Sequence, residues 1–461
     1  MVWASFPLHP SEPHKNACVR SFMPRVAFVA MSGFRIREAE MLALGMTLPG
    51  LAARAGAIGS LPSLGLLTLA GLTPPDWDAT WHECNGDVRA MAQRISLERP
   101  TLVAISALTA SVLDAYALAD MLREEGLQVV MGGLHVSTCE AEAIAHCDAV
   151  VLGEGENVWH QVLHDAQSGR LQPTYRAAAP ANLAHAPIPR WELLGGRERP
   201  RYTLQTARGC PLACEFCGAS RLLGPFREKP AAQVAAELAT ITAQQPRACI
   251  ELADDNTFAG KRDAKELLNV MRASGVRWFT ECDWRIGERP DVLERLAESG
   301  CVQVLVGVET LALGADAYGG LGAKRAELTR VMDALQQVQD AGVAVIGCFV
   351  VGGDQDDESS IHALGEWLIQ SPLADVQITV QTPFPGTGLR AKLERAGRLL
   401  PDRSWESCTL FDVGYQPSRM TVEQLERAFR NVVAMVHAPS EHARRLEIRQ
   451  RIWGRRYAEP R

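Results

Sequence analysis

The chain of 461 residues lacks an uninterrupted apolar run long enough to span a bilayer, so a membrane-spanning protein is not expected. It lacks an excess of positive charge: the net charge is −7, and no electrostatic footprint of a polyanionic partner stands out. Nucleic-acid binding is therefore not indicated. The opening stretch "MVWASFPLHPSEPHKNACVRSFMP" contains four prolines and no apolar core run, so no secretory signal is expected. Residues 1–24 read as a disordered tail, or as an over-long start ahead of Met23. There is no low-complexity segment and no internal repeat beyond strand–helix alternation. The twelve cysteines have no regular spacing, which excludes a disulfide scaffold. A cytoplasmic protein is expected, and in a reducing compartment clustered thiols mean metal or catalysis.

What is present has the composition of a soluble globular protein, 47% apolar and 22% charged, at a length that implies two or three domains. "RVAFVAM" (25–31), "LVAISA" (102–107), "LQVVMGG" (127–133) and "DAVVLGEGE" (148–156) are apolar runs that end in polar or glycine loops. Helical patterns such as "LDAYALADMLREEG" lie between them. This predicts a parallel sheet covered on both faces, of flavodoxin or Rossmann-like doubly wound type. Proline-rich residues 172–200 read as a linker. Six more strands follow, near 202–207, 248–254, 276–282, 302–309, 343–353 and 375–381. Six strands predict a partial βα barrel, with ligands at their carboxyl ends. The last sixty residues look helical and charged.

Only one group of cysteines is close. "RGCPLACEFCGAS" places Cys210, Cys214 and Cys217 in a C-x3-C-x2-C loop directly after the first barrel strand. Structural zinc wants four closed ligands, and after Cys217 no Cys or His follows until Cys249. A four-iron cluster on three cysteines leaves one iron open to a ligand. The nine scattered cysteines read as small buried hydrophobes.

This loop, with Phe216 before the third cysteine, resembles the signature of the radical SAM enzymes. The resemblance implies a 4Fe-4S cluster on Cys210, Cys214 and Cys217, whose open iron binds S-adenosylmethionine (SAM). "LADDNTF" (252–258) is similar to a strand-end pattern of the cobalamin-dependent subclass, which implies that Asp254, Asp255 and Asn256 meet the SAM amino group. An Asx-capped acidic turn explains the same residues without a ligand. By the same resemblance Arg285 of "DWRIG" faces the SAM carboxylate, Glu309 of "GVET" lies near the ribose, and Phe216 belongs to the SAM site. "QTPFPGTGL" (381–389) is similar to the family's loop after strand six.

The first domain resembles the family's cobalamin-binding domain through "SALTAS", "GGLHVS" and "GEGE". That implies contacts to cobalamin from Ser106, Thr109, Gly132, Gly133, His135, Ser137, Gly153, Glu154 and Gly155. Gly-rich turns of any doubly wound domain are the alternative. The D-x-H-x-x-G motif, whose histidine ligates cobalt, has no match, so the resemblance implies cobalt without a protein ligand below.

The implied plan is a tail over 1–24, a cobalamin-binding-like domain over 25–171, a linker over 172–200, a radical SAM barrel over 201–400 and a helical region over 401–461. The implied function is methylation of an unactivated carbon or phosphorus centre through a 5′-deoxyadenosyl radical and methylcobalamin. The alternatives are a cyclase or rearrangement enzyme, a vestigial cobalamin domain with transfer of another SAM-derived group, and an iron–sulfur carrier. The partners implied are a small-molecule or lipid substrate and an electron donor such as flavodoxin or ferredoxin.

Overall fold

The computed structural model describes residues 23–458, except 32–35, 49, 196–198, 200, 213, 219–221, 261 and 312–327. Apart from Met23 and Pro24, the expected tail lies outside the described residues, as does Cys18. The first sheet contains β1 (Arg25–Met31), β2 (Asp78–Cys84), β3 (Leu102–Ser106), β4 (Val129–Gly132), β5 (Ala149–Leu152) and β6 (Thr174–Arg176). The order is β2-β1-β3-β4-β5-β6, and every pairing is parallel. In β1, Ala27 and Val29 pack into one core with Ile95 and Leu118, while Val26 and Phe28 pack into another with Leu66 and Trp159. Burial on both faces explains why the strand is apolar throughout. The strand order reverses at β1 and β3, and loops leaving such a switch point open a crevice for a ligand.

Two strands depart from expectation. β2, "DATWHEC", is an edge strand with only two buried positions, so it carries polar residues that hide its type. β6 falls inside the expected linker and extends the first sheet past residue 171. The rest of that segment holds two short turns of helix, Leu183–His185 and Trp191–Leu194.

The second sheet contains β7 (Tyr202–Leu204), β10 (Cys249–Leu252), β11 (Arg277–Cys282), β12 (Cys301–Glu309), β13 (Ala344–Val351) and β14 (Asp375–Val380). They run in order β14-β13-β12-β11-β10-β7, all parallel, with helices outside. This is the expected six-stranded partial barrel. A two-stranded antiparallel ribbon of β8 (Ala207–Arg208) and β9 (Arg227–Glu228) brackets the cysteine loop.

The C-terminal region is not helical from residue 401. Residues 401–420 form an irregular strap with one short turn at Trp405–Ser407, and the helices are Val422–Val436 and Pro439–Ala458. Tertiary contacts hold the strap. Tyr415, fully buried, donates to the Gly352 carbonyl at 2.5 Å, and Asp412 accepts from the backbone of Arg37 and Glu38.

One stretch, Arg54–Leu72, has the length and mean apolarity of a membrane span, but Arg54, Ser60, Pro62 and Ser63 interrupt its apolar run. It folds as two helices, Leu51–Gly59 and Leu64–Leu72, interrupted around Pro62, and Leu66, Leu67 and Ala70 are buried in the protein cores.

Candidate active site

The cysteine loop leaves β8 at Gly209, whose φ of +79° favours glycine and where a Cβ would lie 2.9 Å from the Gly224 carbonyl oxygen. Cys214 is buried, and its carbonyl accepts from the Cys217 amide. Burial pushes the Cys210 thiol up, and the nearby Cys217 sulfur adds to this. The Asn256 amide, at the carboxyl end of β10, lies 3.9 Å from Cys210 Sγ. Cys249 begins β10 and so sits at the opposite end of that strand. Three thiols on one turn, at the barrel mouth and apart from Cys249, fit a cluster with one iron left for another ligand.

Four of the six expected SAM residues gather at adjacent strand ends. Asn256 also accepts from the Asp283 amide at 3.3 Å, which ties β10 to β11. Asp255 is partly buried, and burial, then the charge of Asp254, raises its carboxyl to about 6. Arg285 pairs with Asp283 at 2.8 Å and lies over the Trp284 ring at 4.9 Å. Asp283 Oδ2 is buried without a hydrogen-bond partner. Glu309, buried, has a φ of +71° where β12 slips register against β13. Left-handed backbone at a bulky residue is strained, and such strain concentrates at functional sites. Phe216 packs against the barrel core.

Asp254 requires a correction. Its carboxylate accepts from the Thr206 amide at 2.6 Å, the Ala207 amide at 3.0 Å, Thr206 Oγ1 at 2.5 Å and Thr257 Oγ1 at 2.9 Å. It is 3% exposed. Its acceptor positions are spent on the turn between β7 and β8, so it positions the cysteine loop and does not face a ligand.

In the first domain, Ser106, Gly133, Ser137 and Gly153 meet at the carboxyl edge of β3, β4 and β5. A Cβ on Gly133 (φ +109°) would lie 3.2 Å from Ser106 Oγ. Ser137 Oγ donates to the Gly133 carbonyl at 2.9 Å and accepts from the Gly153 amide at 2.8 Å. Gly153 (φ +76°) has nothing within 4 Å of where a Cβ would be. This glycine- and hydroxyl-lined edge beside the switch point fits the polar tail of a bulky cofactor.

The other residues expected there have neighbours within the chain. Gly132 packs against Val151 within the sheet, and Gly155 packs against Leu69. Thr109 Oγ1 meets His135 Nδ1 at 3.3 Å, and the buried His135 ring stands edge-on to Trp405 at 5.0 Å. Glu154 turns to the barrel. It accepts from Arg208 at 3.1 Å and from both terminal nitrogens of Arg227, while Glu156 pairs with Arg208 at 2.8 Å. Burial alone would raise the Glu154 carboxyl, but Arg227 and Arg208 hold it below the usual range. This clamp joins the first domain to both strands of the ribbon around the cysteine loop. Its only trace in the sequence is two glutamates in "GEGE" and the arginine before Gly209.

The "TPFPGTG" loop makes a second seam. Phe384 lies against Gly218, Gly388 against Glu215, and Gly386 (φ +76°) against Thr138 of the first domain and Leu222 of the barrel.

Comparison with known proteins agrees with this arrangement. Residues 51–163 match the B12 binding domain, and residues 204–368 match the radical SAM superfamily. The chain belongs to the cobalamin-dependent radical SAM enzymes. It is similar to the bacteriochlorophyllide d C-12(1)-methyltransferase of Chlorobaculum tepidum, 25% identical over 86% of each chain. It is also similar to the hopanoid C-2 methylase of Rhodopseudomonas palustris, 24% identical over 75% of this chain and 67% of that one. The solved structure of the methyltransferase TsrM from Kitasatospora setae, with cobalamin and a 4Fe-4S cluster bound, shares the fold. Its TM-score is 0.64 at 14% identity, over 92% of this chain and 90% of that one.

Two outcomes follow for this cobalamin-dependent radical SAM enzyme. Changing Cys210, Cys214 or Cys217 to Ala removes most iron and cluster absorbance after anaerobic reconstitution, whereas Cys249→Ala retains both; equal loss in Cys249→Ala contradicts the three-cysteine cluster. Glu154→Gln leaves Arg208 and Arg227 undercompensated in a partly buried seam and should lower stability by roughly 2–4 kcal/mol. Thermal unfolding checks this, and an unchanged midpoint shows that the clamp contributes nothing to stability.

Proposed function

We propose that this protein methylates an unactivated carbon or phosphorus centre of a small-molecule or lipid substrate, with electrons from a cytoplasmic donor such as flavodoxin or ferredoxin. The observation that carries the reading is the seam itself. The loop with the three cysteines is clamped through Arg208 and Arg227 to a loop at the edge of the B12-binding domain. A reaction that uses both cofactors on one substrate needs their sites at a fixed separation.

When bound, the cluster with SAM supplies a 5′-deoxyadenosyl radical and cobalamin supplies the methyl group. The chain's own residues bind and orient. Cys210, Cys214 and Cys217 hold the cluster. Asp255 and Asn256 accept from the SAM ammonium, and Arg285, steadied by Asp283 and Trp284, offers its planar fork to the carboxylate. Glu309 lies toward the ribose and Phe216 lines the site. Ser106, Gly133, Ser137 and Gly153 hold the tail of cobalamin. Asp254 and Glu154 act as positioning residues. The contacts of Phe384 and Gly386 hold the loop after β14 against Gly218 of the cysteine loop and Thr138 of the first domain.

A second reading has an observation behind it. The chain is also similar to the anaerobic magnesium-protoporphyrin IX monomethyl ester cyclase of Cereibacter sphaeroides, 22% identical over 66% of this chain and 55% of that one. Anaerobic incubation with methyl-labelled SAM, a reductant and candidate acceptors separates the two. Methyl transfer gives 5′-deoxyadenosine, S-adenosylhomocysteine and a labelled product by mass spectrometry. A product formed with 5′-deoxyadenosine but without S-adenosylhomocysteine or label supports cyclisation and overturns methylation. For the SAM site, Arg285→Lys should weaken SAM binding roughly tenfold although the charge is kept, because the bidentate fork is lost. Unchanged affinity removes Arg285 from the site.

A further inference from the structure

We propose that His135, Cys139 and Glu142 form a second metal site, for a zinc-like divalent cation, on the first domain beneath Trp405 of the strap. It uses none of the three loop cysteines and does not depend on the methyl-transfer reading.

The three residues sit on two consecutive short helices, Leu134–Thr138 and Glu140–Ile144, and at the junction between them. Their i, i+4, i+7 spacing gathers them on one side, and one ligand atom from each lies within 4.8 Å of the others. Zinc bonds of roughly 2.0–2.3 Å hold donors about 3.5 Å apart, so small side-chain movements close the set. Imidazole, thiolate and carboxylate are the donors that zinc takes.

One further observation points to a ligand. His135 is 1% exposed and its Nε2 has no hydrogen-bond partner. The Tyr116 ring stands 6.3 Å from the His135 ring and helps to bury it. Buried polar atoms are satisfied in native proteins, so a buried ring nitrogen beside one thiol and one carboxylate calls for a partner.

The surroundings suit a cation. Thr109 Oγ1, 3.3 Å from His135 Nδ1, can accept from Nδ1–H, the tautomer that leaves the Nε2 lone pair for a metal. Trp405 Nε1 donates to both Glu142 oxygens at 3.0 Å and orients that carboxylate. Cys139 thiolate and Glu142 carboxylate balance a divalent charge, so Arg390, stacked on Trp405 at 4.3 Å, can be accommodated. A cavity of about 230 Å³ lined by Glu142, Trp405, Cys408, Arg390 and Arg403 reaches the cluster from the Glu142 side. Binding forms the sulfur–metal bond as the Cys139 proton leaves to solvent. Held so, Glu142 and Trp405 fasten the strap to the first domain.

The test uses the full chain with its iron–sulfur cluster reconstituted and cobalamin loaded, so that Cys210, Cys214 and Cys217 are occupied. Titration with Zn2+ against a chromophoric chelator should give one zinc per chain, with iron content unchanged. Cys139→Ser and Glu142→Gln should each weaken zinc at least tenfold while retaining iron and cluster absorbance, which reports that the variants fold. X-ray absorption at the zinc edge should show one sulfur among nitrogen and oxygen neighbours. No zinc on the cluster-loaded protein, equal zinc in Cys139→Ser, or a three-sulfur shell overturns the proposal; the last means zinc taken by the cysteine loop.

Discussion

Glu154 and Glu156 of one domain meet Arg208 and Arg227 of the other in a seam where the Glu154 and Arg208 side chains are each only 13% exposed. Taking charges out of water costs more than a surface ion pair returns, so such a cluster persists only when its hydrogen bonds are filled. Here Arg227 grips Glu154 with two nitrogens and also reaches the Leu223 and Ala181 carbonyls. A filled, directional network of this kind specifies geometry more than it adds stability. It fixes where the ribbon of β8 and β9 lies, and therefore where the cysteine loop between them lies, relative to the first domain.

From that seam the other constraints follow outward. Asp254 staples the turn into β8 with four donors. Arg262 reaches the Thr206 and Lys229 carbonyls from behind the ribbon. The loop after β14 presses Gly386 onto Thr138 and Phe384 onto Gly218, so one turn touches both the first domain and the cysteine loop. At three glycines in these contacts, 209, 386 and 388, a Cβ would have a neighbour within 3 Å, and two of the three have positive φ. The cysteine loop is thus held from three sides by backbone that tolerates no bulk.

How much of this is legible in the sequence depends on whether a residue's meaning is local. β1 and β3 are legible because strands buried on both faces are apolar throughout, and β2 is not, because an edge strand keeps polar residues. The cysteine loop is legible because few structures explain three thiols in one turn. The roles of Asp254 and Glu154 are not. A sequence displays a carboxylate but not its donors, and these donors come from about fifty and seventy residues away. The strap reads as helix because charge and apolar spacing further on are helical. Its own course is set by Tyr415, Asp412 and Trp405 finding partners across the fold.

His135 shows why a residue in a recognisable motif need not do what its position suggests. Its Nδ1 is engaged by Thr109, its ring is covered by Trp405, and its neutral state is kept by burial. Coordinating cobalt would require the ring to give up Trp405 and turn out of a site where it is 1% exposed. If Nε2 serves a divalent ion with Cys139 and Glu142, no nitrogen remains for cobalt. The absence of a D-x-H-x-x-G motif leads to the same conclusion from the sequence. The residue is therefore read by its partners, Thr109 and Trp405, and not by its position in "GGLHVS".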